Sequence, residues 1–369
     1  MISTFSEYVS MLLQGDSLLL SFLVILIALL SSYAIMPTLV YVSVVKNLTA
    51  NPNERSSHIK KTPVLGGVGI AFGAFFTSAF FSALVLSHEE MKILFSLTAP
   101  LVILFSAGLK DDIVGLSARS KLFAEILSAL IFISLTDITI DSFHGIFGIY
   151  ELNEFFSIVF TVFVFIIIIN SYNLIDGING LAGSLAVIVL LSFIYFFYIN
   201  NIIVGIISGS AMLGGVLAFL RFNLTRGKRK IFMGDVGSLV VGFTFAVFAT
   251  IALSNTYDSS QFFVNKPVYI LALLAYPFID TLRVFYLRIK SGKSPFHPDR
   301  NHLHHKLLNF GYSHVQSTLI IVGYSLLILL SAIIFHESSI HRHLLFTFLT
   351  SVVLLLIILR VICKKKKKC

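Results

Sequence analysis

Four short stretches of this chain hold side chains suited to chemistry. In the first, Asp111 and Asp112 are adjacent carboxyls with Lys110, Arg119 and Lys121 close by. Neighbouring carboxylates repel unless a cation intervenes, which suits metal–diphosphate chemistry or general-base work. The second, Asn170 to Gly183, sets Asn173, Asp176 and Asn179 among glycines between two strongly apolar runs, a costly place for a carboxyl and amides. The third is Gly234-Asp235-Val236-Gly237-Ser238, one acid framed by small residues ahead of an apolar run. Free amides at such a helix mouth attract anions, and glycines let a phosphate or metal approach the backbone. The fourth, Arg288 to Lys306, carries four histidines within nine positions, among them His302, His304 and His305. Its Lys290, Lys293, Arg300 and Lys306 favour a bound anion over a zinc ion. Lys60 and Lys61 stand where a phosphate could be met, or where charge simply anchors the chain. Glu125 is either a buried partner for a basic residue or a group near the interface. The inventory fits divalent-metal-assisted phosphoryl or glycosyl-phosphate transfer, because magnesium binds few carboxylates and takes its other ligands from substrate phosphate.

The elements that must position these groups are membrane helices. Hydrophobic residues make up 57% of the chain and charged ones 12%, and the mean hydropathy is +0.93. Apolar runs near the ~20 residues that cross a bilayer recur at 18–42, 66–86, 93–109, 122–136, 155–172, 180–199, 202–220, 236–254, 267–287, 317–335 and 343–362. These eleven runs predict an all-α polytopic membrane protein, with the run at 122–136 the shortest. The first run lacks a basic lead-in and reads as a retained span.

Basic residues cluster in alternate loops, which places the N-terminus outside and the C-terminus in the cytoplasm. On that reading only Lys92, Lys266 and Arg342 fall outside. The net charge of +9 is then mostly topology, with 363–369 a polybasic cytoplasmic tail and no nucleic acid implied as partner. Two late cysteines, Cys363 and Cys369, give no disulfide framework. One membrane domain, 1–369, is expected, with catalytic cytoplasmic loops at about 46–65, 110–121, 170–183, 221–238 and 288–316. A transporter is the rival reading, since acids in membrane segments often mark ion paths. The acids here gather at one membrane face, and no repeat halves are visible.

Asp111-Asp112 with Gly115-Leu116-Ser117, Asn173-Leu-Ile-Asp176-Gly177, Phe232-Met-Gly-Asp235-Val-Gly-Ser238 and Ser294-Pro-Phe-His-Pro-Asp-Arg300-Asn-His302-Leu-His304-His305 follow one another in a telling order. From about Lys60 to Lys306 the chain resembles the polyprenyl-phosphate N-acetylhexosamine-1-phosphate transferases of glycosyltransferase family 4. It is most similar to the bacterial undecaprenyl-phosphate N-acetylglucosamine-1-phosphate transferases. The resemblance implies attack of a lipid phosphate on the β-phosphorus of a UDP-sugar with release of UMP, in a bacterial cytoplasmic membrane. It implies Mg2+, with Mn2+ as a substitute, held by Asn173 and Asp235. Asp111, Asp112, Asp176, His302, His304 and His305 would form the catalytic set. Lys60, Lys61, Lys121, Asn179, Asn223 and Arg300 would bind substrate. The implied partners are UDP-N-acetylhexosamine, polyprenyl phosphate, the lipid bilayer and a second copy of the chain in a homodimer. Many bacterial members carry Asp where Asn179 stands, and the lead-in to Phe232 is longer here. His302-Leu303-His304-His305 replaces the triple histidine of the muramyl-pentapeptide transferases, which argues against that alternative substrate.

Overall fold

The computed structural model describes residues 15–50, 62–225, 227–256, 262, 264–294 and 299–366. Lys60 and Lys61 lie outside the described residues. The chain is a helical bundle: α1 (Ser17–Val45), α2 (Gly66–Val85), α3 (His88–Val114), α4 (Ala118–Thr136), α5 (Glu154–Leu174), α6 (Leu181–Ile199), α7 (Ile203–Asn223) and α8 (Gly234–Leu253). It continues with α9 (Lys266–Leu273), α10 (Ala275–Lys290), α11 (Leu303–Asn309), α12 (His314–Ile334) and α13 (Ile340–Lys366). A two-residue antiparallel pair, β1 (Thr49–Ala50) with β2 (Thr62–Pro63), is the extended structure among the described residues. Nine of the described helices are long and apolar enough to cross a membrane. This is a multi-pass membrane protein.

The eleven apolar runs each fall on one of these helices or on a bent pair. α4 is not among the nine, because Arg119, Lys121 and Glu125 place three charges along its apolar stretch. The ninth run differs from a single straight span: α9 and α10 meet at 69°. Pro277 explains the break, since it has no N–H to offer Leu273 and its ring crowds that carbonyl. Two further boundaries differ from the sequence reading. α3 continues through Val114, so Asp111 and Asp112 are helical rather than in a loop, and α5 continues through Leu174, so Asn170 and Asn173 are helical as well.

The core is α8, which is almost wholly buried. It packs against α3 and α5 and, at its N-terminal end, against α2, while α1, α2 and α6 surround α7. Small residues let the helices close on the start of α8. A Cβ on Gly67 would collide with the Gly237 backbone, and one on Gly108 would meet the backbone of Val236 at 2.6 Å. Apolar burial gives no net drive between helices in lipid, so such close backbone packing supplies much of the association. The Gly66 and Gly67 N–H groups donate to the Phe232 and Met233 carbonyls at 2.9 and 2.7 Å, fastening α2 to the turn that precedes Asp235.

Candidate active site

The site forms around the first turn of α8. Gly234 adopts φ +71°, and a Cβ there would lie 2.7 Å from the Asp112 carboxylate, so the position needs glycine on both counts. Asp112, in the last turn of α3, accepts hydrogen bonds from the N–H groups of Asp235 (2.8 Å) and Val236 (3.1 Å). An acid at the negative end of one helix is thereby placed on the positive end of another, which offsets the unfavourable position read from its own helix.

Asp235 collects the neighbouring groups. Asn173 Nδ2, at the end of α5, donates to Asp235 Oδ1 and to Ser238 Oγ, both at 2.7 Å. Lys121 Nζ, on α4, lies 2.6 Å from Asp235 Oδ1 and 2.5 Å from Asp111 Oδ2, while Asp111 Oδ1 accepts from the Leu116 N–H at 2.7 Å. Lys121, expected as a substrate contact, is thus an ion-pair bridge between two of the acids. Asp176 sits in the turn between α5 and α6, which Tyr172 pins by donating to the Ala182 carbonyl at 2.9 Å. Burial raises the Asp176 carboxyl well above the ordinary carboxylate range, and the charges of Asp235 and Asp112 push the same way against a hydrogen bond from Gly234.

Asp235 and Asn173 are the pair suited to a divalent cation. They offer a carboxylate and an amide side by side, a hard donor set that magnesium completes with water and substrate phosphate. Among the described residues no group of three His, Cys, Asp or Glu forms a protein cage. A cation held here therefore depends on substrate oxygens or water.

The histidines reach the same turn from the other side. His302 Nδ1 meets Asp280 Oδ2 at 2.9 Å, and the Leu303 N–H donates to Asp280 Oδ1 at 3.0 Å. Arg283 donates to Asp280 Oδ1 at 2.6 Å and to the Asn301 carbonyl at 2.6 Å. Tyr276 Oη and His304 Nδ1 are 3.2 Å apart. Both Nε2 atoms of the buried His302 and His304 make no hydrogen bond among the described residues. His304 Nε2 faces Gly177, where a Cβ would lie 2.4 Å from it. Burial, then His305, holds the His304 pKa well below the usual histidine range. His305 is pushed down to about 4 by burial, then by His302 and Arg300. These rings are neutral hydrogen-bonding groups, while Arg300 is exposed beside them.

Asn223 is buried with both amide ends engaged: Oδ1 accepts from the Gly180 N–H at 2.6 Å and Nδ2 donates to the Ile231 carbonyl at 2.8 Å. It braces the loop rather than presenting a free group. Asn179 is tied through its backbone to His314 and Thr318, and its Oδ1 has no partner among the described residues. Sequence reasoning passed over Asp280, Tyr276 and Arg283. The signal was present, because Asp280 and Arg283 are charges inside the ninth apolar run.

Residues 94–253, from α3 through α8, match the profile described as glycosyl transferase family 4. That stretch contains Asp111, Asp112, Lys121, Asn173, Asp176 and Asp235. This stretch of the chain is similar to that family. The decaprenyl-phosphate N-acetylglucosaminephosphotransferases of Mycolicibacterium smegmatis and Mycobacterium tuberculosis are each 29% identical to it over 297 residues. Those alignments cover 74% of this chain and 71% and 72% of theirs. The undecaprenyl-phosphate alpha-N-acetylglucosaminyl 1-phosphate transferase of Escherichia coli strain K12 is 36% identical over 113 residues, 30% of this chain and 29% of its own. The acids that converge at the start of α8 thus lie within the stretch that matches the family profile.

Proposed function

We propose that this chain transfers N-acetylhexosamine-1-phosphate, N-acetylglucosamine-1-phosphate first among them, from a UDP-sugar to polyprenyl phosphate. A lipid-phosphate oxygen attacks the β-phosphorus, the bond from that phosphorus to the bridging oxygen breaks, and UMP leaves with the bridging oxygen. The observation that carries this reading is the meeting of Asp112, Asn173, Asp176 and Asp235 around one helix start. The relatives' names, which specify polyprenyl phosphates and N-acetylglucosamine phosphate transfer, support the substrate classes.

Asp235 and Asn173 would hold Mg2+, or Mn2+ in its place, which supplies positive charge to the donor diphosphate. Asp112 keeps the start of α8 in place and, with Asp111, flanks the acceptor phosphate. Asp176 and Asn179 line the nucleotide side. His302, His304, His305 and Arg300 bind diphosphate or sugar, the Nε2 atoms of His302 and His304 having no hydrogen-bond partner among the described residues. The basic loops gather at this end of the bundle, which by the positive-inside rule supports a site facing the cytoplasm of a bacterial inner membrane. The lipid-diphospho-sugar product would begin a cell-envelope polysaccharide, and a homodimer is the assembly proposed. Sugar-labelled UDP-N-acetylglucosamine incubated with purified protein, magnesium and undecaprenyl phosphate tests the reading. Label is expected in the extracted lipid, and label that stays in the aqueous phase with every UDP-N-acetylhexosamine contradicts it.

A further inference from the structure

Glu125 is fully buried on α4, one helical turn deeper than Lys121 and on the same face. Its Oε2 accepts a hydrogen bond from Asn170 Nδ2, one turn below Asn173 on α5. Its Oε1 has no hydrogen-bond partner among the described residues. A buried carboxyl oxygen left without a partner is costly and calls for an explanation.

Lys121 supplies one. Its ammonium lies on Asp235 Oδ1, on the carboxylate assigned above to a divalent cation, and also on Asp111. An ammonium and a divalent ion on one carboxylate repel, so binding of the ion favours a Lys121 position away from Asp235. Lysine has a flexible four-carbon stem and three donors, so it can exchange partners by side-chain rotation alone. The Lys121 charge is already within electrostatic reach of Glu125. We infer that Glu125 is a positioning residue whose free Oε1 is the second station of the Lys121 ammonium, taken up when a divalent cation takes Asp235. The inference rests on the proposed cation role of Asp235. It adds that cation binding is an exchange of one positive charge for another, with Asn170 keeping Glu125 aimed for it.

Direct binding of Mn2+ to the purified full-length chain, followed by electron paramagnetic resonance without substrates, tests this. Four proteins are compared: wild type, Glu125→Gln, Lys121→Met and the double variant. Glu125→Gln is expected to weaken Mn2+ binding ~10-fold, the scale of a lost outer partner. In the Lys121→Met background the same change is expected to cost less than about 2-fold, because no ammonium then needs a second station. Unchanged affinity in Glu125→Gln overturns the inference, and so does an equal loss in both backgrounds, which would mean general damage. Wild type that releases UMP while giving either of those results leaves the proposed function standing and removes only this exchange. Wild type that binds no Mn2+ removes the cation role of Asp235 together with the exchange.

Discussion

The Asp112 carboxylate, at the end of α3, accepts the Asp235 N–H at 2.8 Å, so the acid of one motif fixes the backbone that presents the acid of another. The two are 123 positions apart in the chain. Their contact makes the sequence motifs into one site, and its consequences can be measured.

Replacing Asp112 separates its structural and chemical roles. Asp112→Ala leaves the amides of Asp235 and Val236 without an acceptor, a loss of ~1–3 kcal/mol per buried group. Asp112→Asn keeps one oxygen as an acceptor. Turnover is expected to fall ~100-fold or more in both, whereas the thermal unfolding midpoint in detergent should fall clearly only for Asp112→Ala. Equal destabilisation by both would mean that the carboxylate charge, not its oxygen, anchors α8.

Asp235→Ala removes the group shared by Lys121 and Asn173. The expected result is loss of transferase turnover by ~100-fold or more, with a raised magnesium requirement in whatever turnover remains. Chelation of divalent ions should stop the wild type, and added Mg2+ or Mn2+ should restore it. A variant whose magnesium curve overlays that of wild type would place the cation elsewhere.

Gly177→Ala tests the meeting of the histidines with the Asn173–Asp176 segment. The new Cβ would press on His304 Nε2, displacing the ring or the turn. KM for the UDP-sugar is expected to rise about 10-fold with little change for the polyprenyl phosphate. Unaltered kinetics would send His304 back to a packing role.

Histidine burial gives a pH dependence of stability. The His305 pKa is about 4 in the folded chain, pushed down first by burial, and that of His304 lies well below its ordinary value. An unfolded histidine takes up its proton near ~6.5. Between those values the unfolded chain binds more protons, so this stability is fully present above ~6.5 and is lost as pH falls towards about 4. His305→Gln should flatten the fall in unfolding midpoint across that window. Parallel pH curves for wild type and His305→Gln would contradict it.

The acids and amides that meet at the start of α8 were legible in the sequence because such groups beside apolar runs have few structural reasons to be there. Their partnerships were not, because each is tertiary. Asp111 and Asp112 read as a loop because they follow directly on an apolar run, and only the amides of α8 show how Asp112 is accommodated at a helix end. Lys121 read as a substrate contact, while its ion pairs to Asp111 and Asp235 were not legible. The run at 267–287 read as one span because hydropathy has no memory of direction, although Pro277 marked the bend that carries Asp280 to His302. The helical bundle itself needed only composition and the spacing of apolar runs.

The most direct test of the central claim is UMP release by the purified chain supplied with UDP-N-acetylglucosamine, undecaprenyl phosphate and magnesium. UMP is expected to appear in step with lipid-linked sugar phosphate, to need both substrates, and to vanish in Asp235→Ala. UMP absent with every UDP-N-acetylhexosamine, or formed equally well without the polyprenyl phosphate, would contradict the account.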